Sequence, residues 1–196
     1  APASAVGVSS NVRRRMRTTF ALVLALLAVA PLPVPAADTG WKDPSGNPVS
    51  DTDSQKSRDG FGGMVLVTPD QDWEAKWNTP AEVKPHFNTA STVERGQKVF
   101  VLIFFVNPKV GQDGSADVTC HLKATRPNGS TSLNQASVPC HQGPVRGEAF
   151  NVRLAGPVIG FVGEPGDPAG RWVVEVTLYD NLRGVELPLR TSFVLK

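Results

Sequence analysis

Along much of its second half the chain alternates apolar and polar residues with a period of two, and the alternating runs are bounded by Gly, Pro, Asn and Asp. From Ala116 to Thr125, Ala116, Val118, Cys120, Leu122 and Ala124 fall on one side, and Asp117, Thr119, His121, Lys123 and Thr125 on the other. That is the signature of a half-buried antiparallel strand. Pro127-Asn128-Gly129 follows, where Pro fixes φ and Asn or Gly accepts a positive φ, so a hairpin to Ser130–Val138 is predicted. The C-terminus repeats the pattern. Trp172, Val174, Val176 and Leu178 oppose Val173, Glu175, Thr177 and Tyr179; after a turn at Asp180–Gly184, Val185, Leu187, Leu189, Thr191, Phe193 and Leu195 share a face. Pro188 in this last run has no N–H to donate, which predicts an edge strand.

Two runs do not alternate. Gly63–Thr68 is short and apolar, and Val99–Val106 reads Val-Phe-Val-Leu-Ile-Phe-Phe-Val up to Asn107-Pro108, as expected of a central strand covered on both faces. Phe150–Leu154 and Val158–Val162 supply two further strands around Gly156-Pro157. About seven strands separated by turn signals predict an all-β, antiparallel immunoglobulin-like β-sandwich over residues 61–196. Gly170–Asp180 with the glycine turn and last strand resembles the closing hairpin of immunoglobulin-like modules on exported bacterial proteins. The resemblance covers 27 residues and implies fold class alone, because function on such scaffolds lives in grafted sites. One short helical turn is expected in Asp70–Pro80, capped by Asp70 or Asp72, with Trp73 and Trp77 at i, i+4 spacing. Residues 38–60 hold hardly any apolar side chains and read as an irregular, flexible arm.

The N-terminus changes the picture of charge and compartment. Arg13, Arg14, Arg15 and Arg17 precede an 11-residue apolar run, Phe20–Ala30, and a small-residue exit at Ala36-Ala37. This is the order of a secretory signal peptide over residues 16–37, with residues 1–15 an over-extended start, and the apolar run is too short for the about 20 residues that span a bilayer. No membrane span is expected after cleavage. The 196-residue chain carries a formal +2, but four of its 20 basic residues lie in the leader; the other 16 face 18 acidic side chains, so no basic footprint for nucleic acid exists. Export makes a disulfide between the two cysteines, Cys120 and Cys140, the economical expectation. With 18 Gly and 17 Pro in the chain, mostly helical folds are disfavoured.

Candidate chemistry is sparse. Cys120-His121 and Cys140-His141 invite a metal site, but adjacent strand residues project to opposite faces, so no metal is expected. His86 is the third histidine, and no nucleophile elbow, phosphate loop or haem motif is present, so neither catalytic residues nor a cofactor is assigned. Carboxylates recur at Asp51 and Asp53, Asp70 and Asp72, and Glu164 and Asp167, where solvated loop acids are the simpler reading. Trp73 and Trp77 are the candidate binding residues, because amphipathic aromatics dominate interface energetics; the competing role is to cover an open end of the sandwich.

The expectation is a periplasmic or secreted, non-catalytic binding module whose partner is a protein or glycan of the cell envelope. Two alternatives stand beside it. One is an envelope hydrolase acting on carbohydrate through Glu164 and Asp167; the other is an assembly or chaperone-like factor that pairs a strand at the Pro188 edge.

Overall fold

The computed structural model describes residues 40–43, 45–80, 83–148 and 150–196 of the chain, which divides into two units, Ala1–Val34 and Pro35–Lys196. The expected leader, residues 1–37, lies outside the described residues. Among the described residues of the second unit are ten strands and one short helix: β1 Gln55–Arg58, β2 Phe61–Thr68, α1 Trp73–Trp77, β3 Thr92–Val93, β4 Lys98–Val106, β5 Ser115–Thr125, β6 Thr131–Pro144, β7 Arg153–Leu154, β8 Ile159–Val162, β9 Gly170–Asp180 and β10 Val185–Leu195. They form two packed sheets, an all-β sandwich. The first runs β1-β2-β4-β7, with β8 beside the other end of β4, and the second runs β3-β10-β9-β5-β6. Strand neighbours are antiparallel except β3 and β10, which pair in parallel over two residues.

Alternation decides which side chains meet between the sheets. From the first sheet Phe61, Val65, Val67, Val99, Val101, Ile103 and Phe105 point inward; from the second come Val118, Leu122, Trp172, Val176, Leu178, Leu187, Leu189 and Phe193. Phe161 closes one end of this core, with its ring centroid 4.8 Å from those of both Trp172 and Phe193. Gly63 is the one inward position of β2 without a side chain. A Cβ there would lie 2.6 Å from Leu178 Cδ1 and 2.8 Å from Leu187 Cδ2, so the glycine lets the two sheets approach.

Cys120 and Cys140 form the expected disulfide, with Cα atoms 5.8 Å apart, joining neighbouring strands β5 and β6 of one sheet. The C-terminal hairpin keeps its register from Val185↔Asp180 to Leu195↔Gly170. Pro188 lies on the side of β10 that faces away from β9. Arg190 N donates to Asp53 O and Val194 N to Ser91 O, and the N–H at every second residue points that way, so Pro188 deprives β9 of nothing. The edge expectation needs correcting all the same: β10 is flanked by β3 at its C-terminal end and touched by the chain before β1 at Arg190.

The irregular arm expected over 38–60 is also corrected for its described part. Gln55–Arg58 pairs with Met64–Phe61 as β1, and Trp41 packs onto the sheet. Four polar residues show no apolar alternation, so this strand is recruited by backbone hydrogen bonding rather than by burial.

Candidate functional site

The outer face of the first sheet is apolar. Opposite the core-facing residues, β2 presents Gly62, Met64 and Leu66, and β4 presents Phe100, Leu102, Phe104 and Val106, aligned as Gly62↔Val106, Met64↔Phe104 and Leu66↔Leu102. Leu102, Phe104 and Val106 are 0–2 % exposed although they lie outside the inter-sheet core. They are covered by the excursion between β2 and β3 and by the segment before β1.

The excursion brings its aromatics down onto β4. Trp73 lies over Phe100 with centroids 5.8 Å apart, Trp77 over Phe104 at 5.4 Å, and Phe87 over Phe104 at 5.8 Å. The i, i+4 spacing puts Trp73 and Trp77 on one side of α1, as the sequence implies. Neither covers an open end of the sandwich; both cover a sheet face, and both are half-buried.

Asp70 pins the base of the excursion. Its carboxylate, almost fully buried, accepts the Asn88 backbone N–H at 2.9 Å and the Asn88 side-chain amide at 2.8 Å, and it pairs with the Lys76 ammonium at 2.8 Å. Burial alone would push its pKa up; Lys76 and Asn88 outweigh this and hold it down at about 2. Lys76 is shifted upward in return, chiefly by its hydrogen bond to Asp70. Asp72 occupies the N-cap position of α1 but makes no cap hydrogen bond, so the expected capping is replaced by ion pairs of Asp70 and Asp72 with Lys76.

Beside Trp77 the cover opens into a cleft of about 480 Å³, within the range of small-molecule sites. Its floor is Met64, Phe104 and Val106; Trp77, Pro85 and Phe87 form one wall, Trp41 and Gln55 another, and Phe150 and Val152 the rim. Lys42 and Lys84 also line it, and Lys42 Nζ stands 5.0 Å from the Phe150 ring centroid. Trp41 is fixed at both ends of its side of the cleft: its backbone N–H donates to Ser57 Oγ at 3.0 Å and its indole N–H to Gly63 O at 3.0 Å. Gly62 makes this possible, since a Cβ there would stand 2.9 Å from the indole and 2.7 Å from Val106 Cγ2.

Of the two candidate tryptophans, Trp77 lines the cleft and Trp73 packs beside it. Trp41, Phe87 and Phe150 belong to the site although sequence pattern alone does not single them out. A lone tryptophan in a polar segment and a Gly62-Gly63 pair inside a strand are the available signals. The loop acids have local structural partners. Asp167 Oδ2 accepts the Glu164 N–H at 3.0 Å, while Arg95 donates to the carbonyls of Glu164 and Asp167, and Asp51 accepts the Ser57 N–H at 2.9 Å. His121 Nε2 lies 2.7 Å from Asn134 Oδ1, and both cysteines are consumed by the disulfide. Among the described residues no helix is long and apolar enough to cross a membrane.

No family model and no curated protein sequence matches the chain. Among solved structures it is similar to a family 123 glycoside hydrolase from Clostridium perfringens, at 9% identity and a TM-score of 0.37, over 68% of this chain and 27% of that one. The chain thus spans about a quarter of the hydrolase's length. It is also similar to a Niemann-Pick type C2 protein from the Japanese carpenter ant, at 10% identity and a TM-score of 0.35, covering 67% of this chain and 89% of that one. A third similar structure is Northeast Structural Genomics Consortium target SoR45, at 14% identity and a TM-score of 0.27, covering 69% and 85%. No site residue is carried over from any of them.

Proposed function

We propose that the protein is an exported, non-catalytic binding module of the cell envelope whose ligand site is the aromatic cleft on the outer face of the first sheet. The observation that carries this reading is the placement of the cleft. It is a concave, largely apolar volume built on a packed sheet and separate from the core, so a ligand can enter without opening the sandwich. Export is supported by the order of charge and hydropathy in residues 13–37 and by the Cys120–Cys140 disulfide.

The test is titration of the purified protein with the neutral fluorophore N-phenyl-1-naphthylamine. Saturable, one-to-one enhancement that weakens when Phe150 is replaced by Ser is the expected result. A linear, unsaturable response, or one indifferent to Phe150→Ser, would overturn the reading. Fractionation of the producing cells with N-terminal sequencing of the mature chain checks export, with a start at residue 37 or 38 expected.

A further inference from the structure

The outer face of the second sheet carries a trough of a different kind. The segment entering β1 runs beside β10, fixed by the Arg190 backbone N–H donating to Asp53 O at 2.7 Å, and it walls two adjoining cavities of about 390 and 610 Å³ that share Asp53 and Arg190. Their floor is made by outward side chains of β5, β9 and β10, in the cross-strand row Lys123↔Glu175↔Arg190 and its neighbours out to Thr177 and Arg171. Thr177 and Arg171 are six residues apart on β9, about 20 Å at the rise of a strand. We infer that this elongated trough docks a linear acidic polysaccharide, a chain of uronate sugars, on a surface separate from the aromatic cleft.

Charge and hydroxyls select that partner. Among the described lining residues are four cations, Lys56, Lys123, Arg171 and Arg190, and two carboxylates, Asp53 and Glu175; none of the six adjoins an undescribed position in the chain. Lys123 and Glu175 cancel in an ion pair at 3.1 Å. Among the described residues the side chains of Lys56 and Arg190 have no ion-pair or hydrogen-bond partner, and Arg171 spends one N–H on Ser192 Oγ at 2.8 Å, so three cations stand against Asp53 alone. A guanidinium presents a planar fork that a carboxylate fits with two hydrogen bonds. Thr52, Ser54, Thr177 and Ser192 place hydroxyls along the same length, each able to donate to and accept from a sugar hydroxyl. A single-stranded nucleic acid is served worse, because the described lining holds no Trp, Tyr or Phe on which its bases would stack.

Isothermal titration calorimetry with oligogalacturonate and its fully methyl-esterified form, equal in length and in hydroxyls, isolates the charge. The free acid is expected to bind at least about tenfold tighter than the ester in low salt and to lose that margin in high salt. In the Arg171→Gln/Arg190→Gln double variant it should fall to the level of the ester, with the urea midpoint unchanged because both side chains are exposed. Asp53→Asn should act in the opposite direction and tighten the free acid about threefold. Acid and ester binding alike, or neither binding, would overturn the proposal, and no response to either variant would place binding elsewhere and overturn it too. A thymidine oligonucleotide that binds the wild type as tightly as the free acid would do the same, because charge alone would then suffice. None of these outcomes touches the cleft, which the neutral fluorophore reports independently.

Discussion

Arg183 donates through Nε to Asp180 Oδ2 at 3.1 Å within a single turn, and its two other guanidinium nitrogens reach the backbone carbonyls of Asp59 and Asn107. The Asp180 side chain is wholly buried and also accepts the backbone N–H groups of Lys109 and Arg183. One ion pair at the tip of the β9–β10 hairpin therefore holds the β1–β2 turn and the end of β4 in place. Removing the guanidinium strands a buried carboxylate and two carbonyls. Arg183→Met is expected to lower the unfolding free energy by about 2–4 kcal/mol, measured by urea denaturation. A loss below about 0.5 kcal/mol would show that the pair is ornamental.

Asp70 makes a second, pH-dependent contribution. Its folded pKa of about 2 lies below the ordinary 3.8, so its stabilisation is complete above pH 4 and is lost as pH falls from about 4 to about 2. The difference corresponds to about 2 kcal/mol. Asp70→Asn should cost that much at pH 7 and nearly nothing at pH 2. Urea midpoints of the two proteins that stay separated at both pH values would contradict the assignment.

Gly62 and Gly63 are neighbours with opposite duties, which makes their alanine variants distinguishable. Gly63→Ala drives a methyl group into Leu178 and Leu187 and should destabilise the fold by about 1–3 kcal/mol. Gly62→Ala pushes instead against Trp41 and Val106. Its expected signature is a red-shifted tryptophan emission and altered affinity for the neutral fluorophore, which Gly63→Ala should not show in its folded state.

The disulfide joins strands that already pair, so its effect falls mainly on the unfolded chain. A loop of 20 residues gives about 3 kcal/mol in the chain-entropy treatment. The Cys120→Ala/Cys140→Ala variant should unfold at correspondingly lower urea, with the slope of the transition reporting a more expanded unfolded state.

The strands most legible in the sequence are those that alternate. β5, β9 and β10 each bury one face, and the pattern from Trp172 to Leu178 marks that face residue by residue. β4, apolar from Val99 to Val106, is covered on both sides as its composition implies, though nothing in its own residues says what covers the outer side. That cover comes from α1, Phe87 and Trp41, and the residues involved are spread over more than forty positions with no shared period. β1 is hidden for the opposite reason: Gln-Lys-Ser-Arg carries no apolar residue whose spacing could be read, and only the availability of the β2 edge makes it a strand. Trp77 can be picked out because tryptophan at helical spacing is conspicuous. Phe150 and Val152 read in the sequence as part of a strand over Phe150–Leu154; only Arg153–Leu154 forms one, and the two apolar residues before it line the cleft instead.

The two-faced burial of β4 also bears on how the chain finds its register. A strand with one polar side is held in place by the penalty for turning that side inward, but sliding β4 by one residue would merely exchange one set of apolar side chains for another. The discrimination must come from its partner. Beside β4, only Gly63 leaves room for the leucines of the second sheet, and only Gly62 leaves room for Trp41, so a shifted pairing would misplace both hollows at once. Two residues without side chains thus act as the alignment marks of a strand whose own sequence has none.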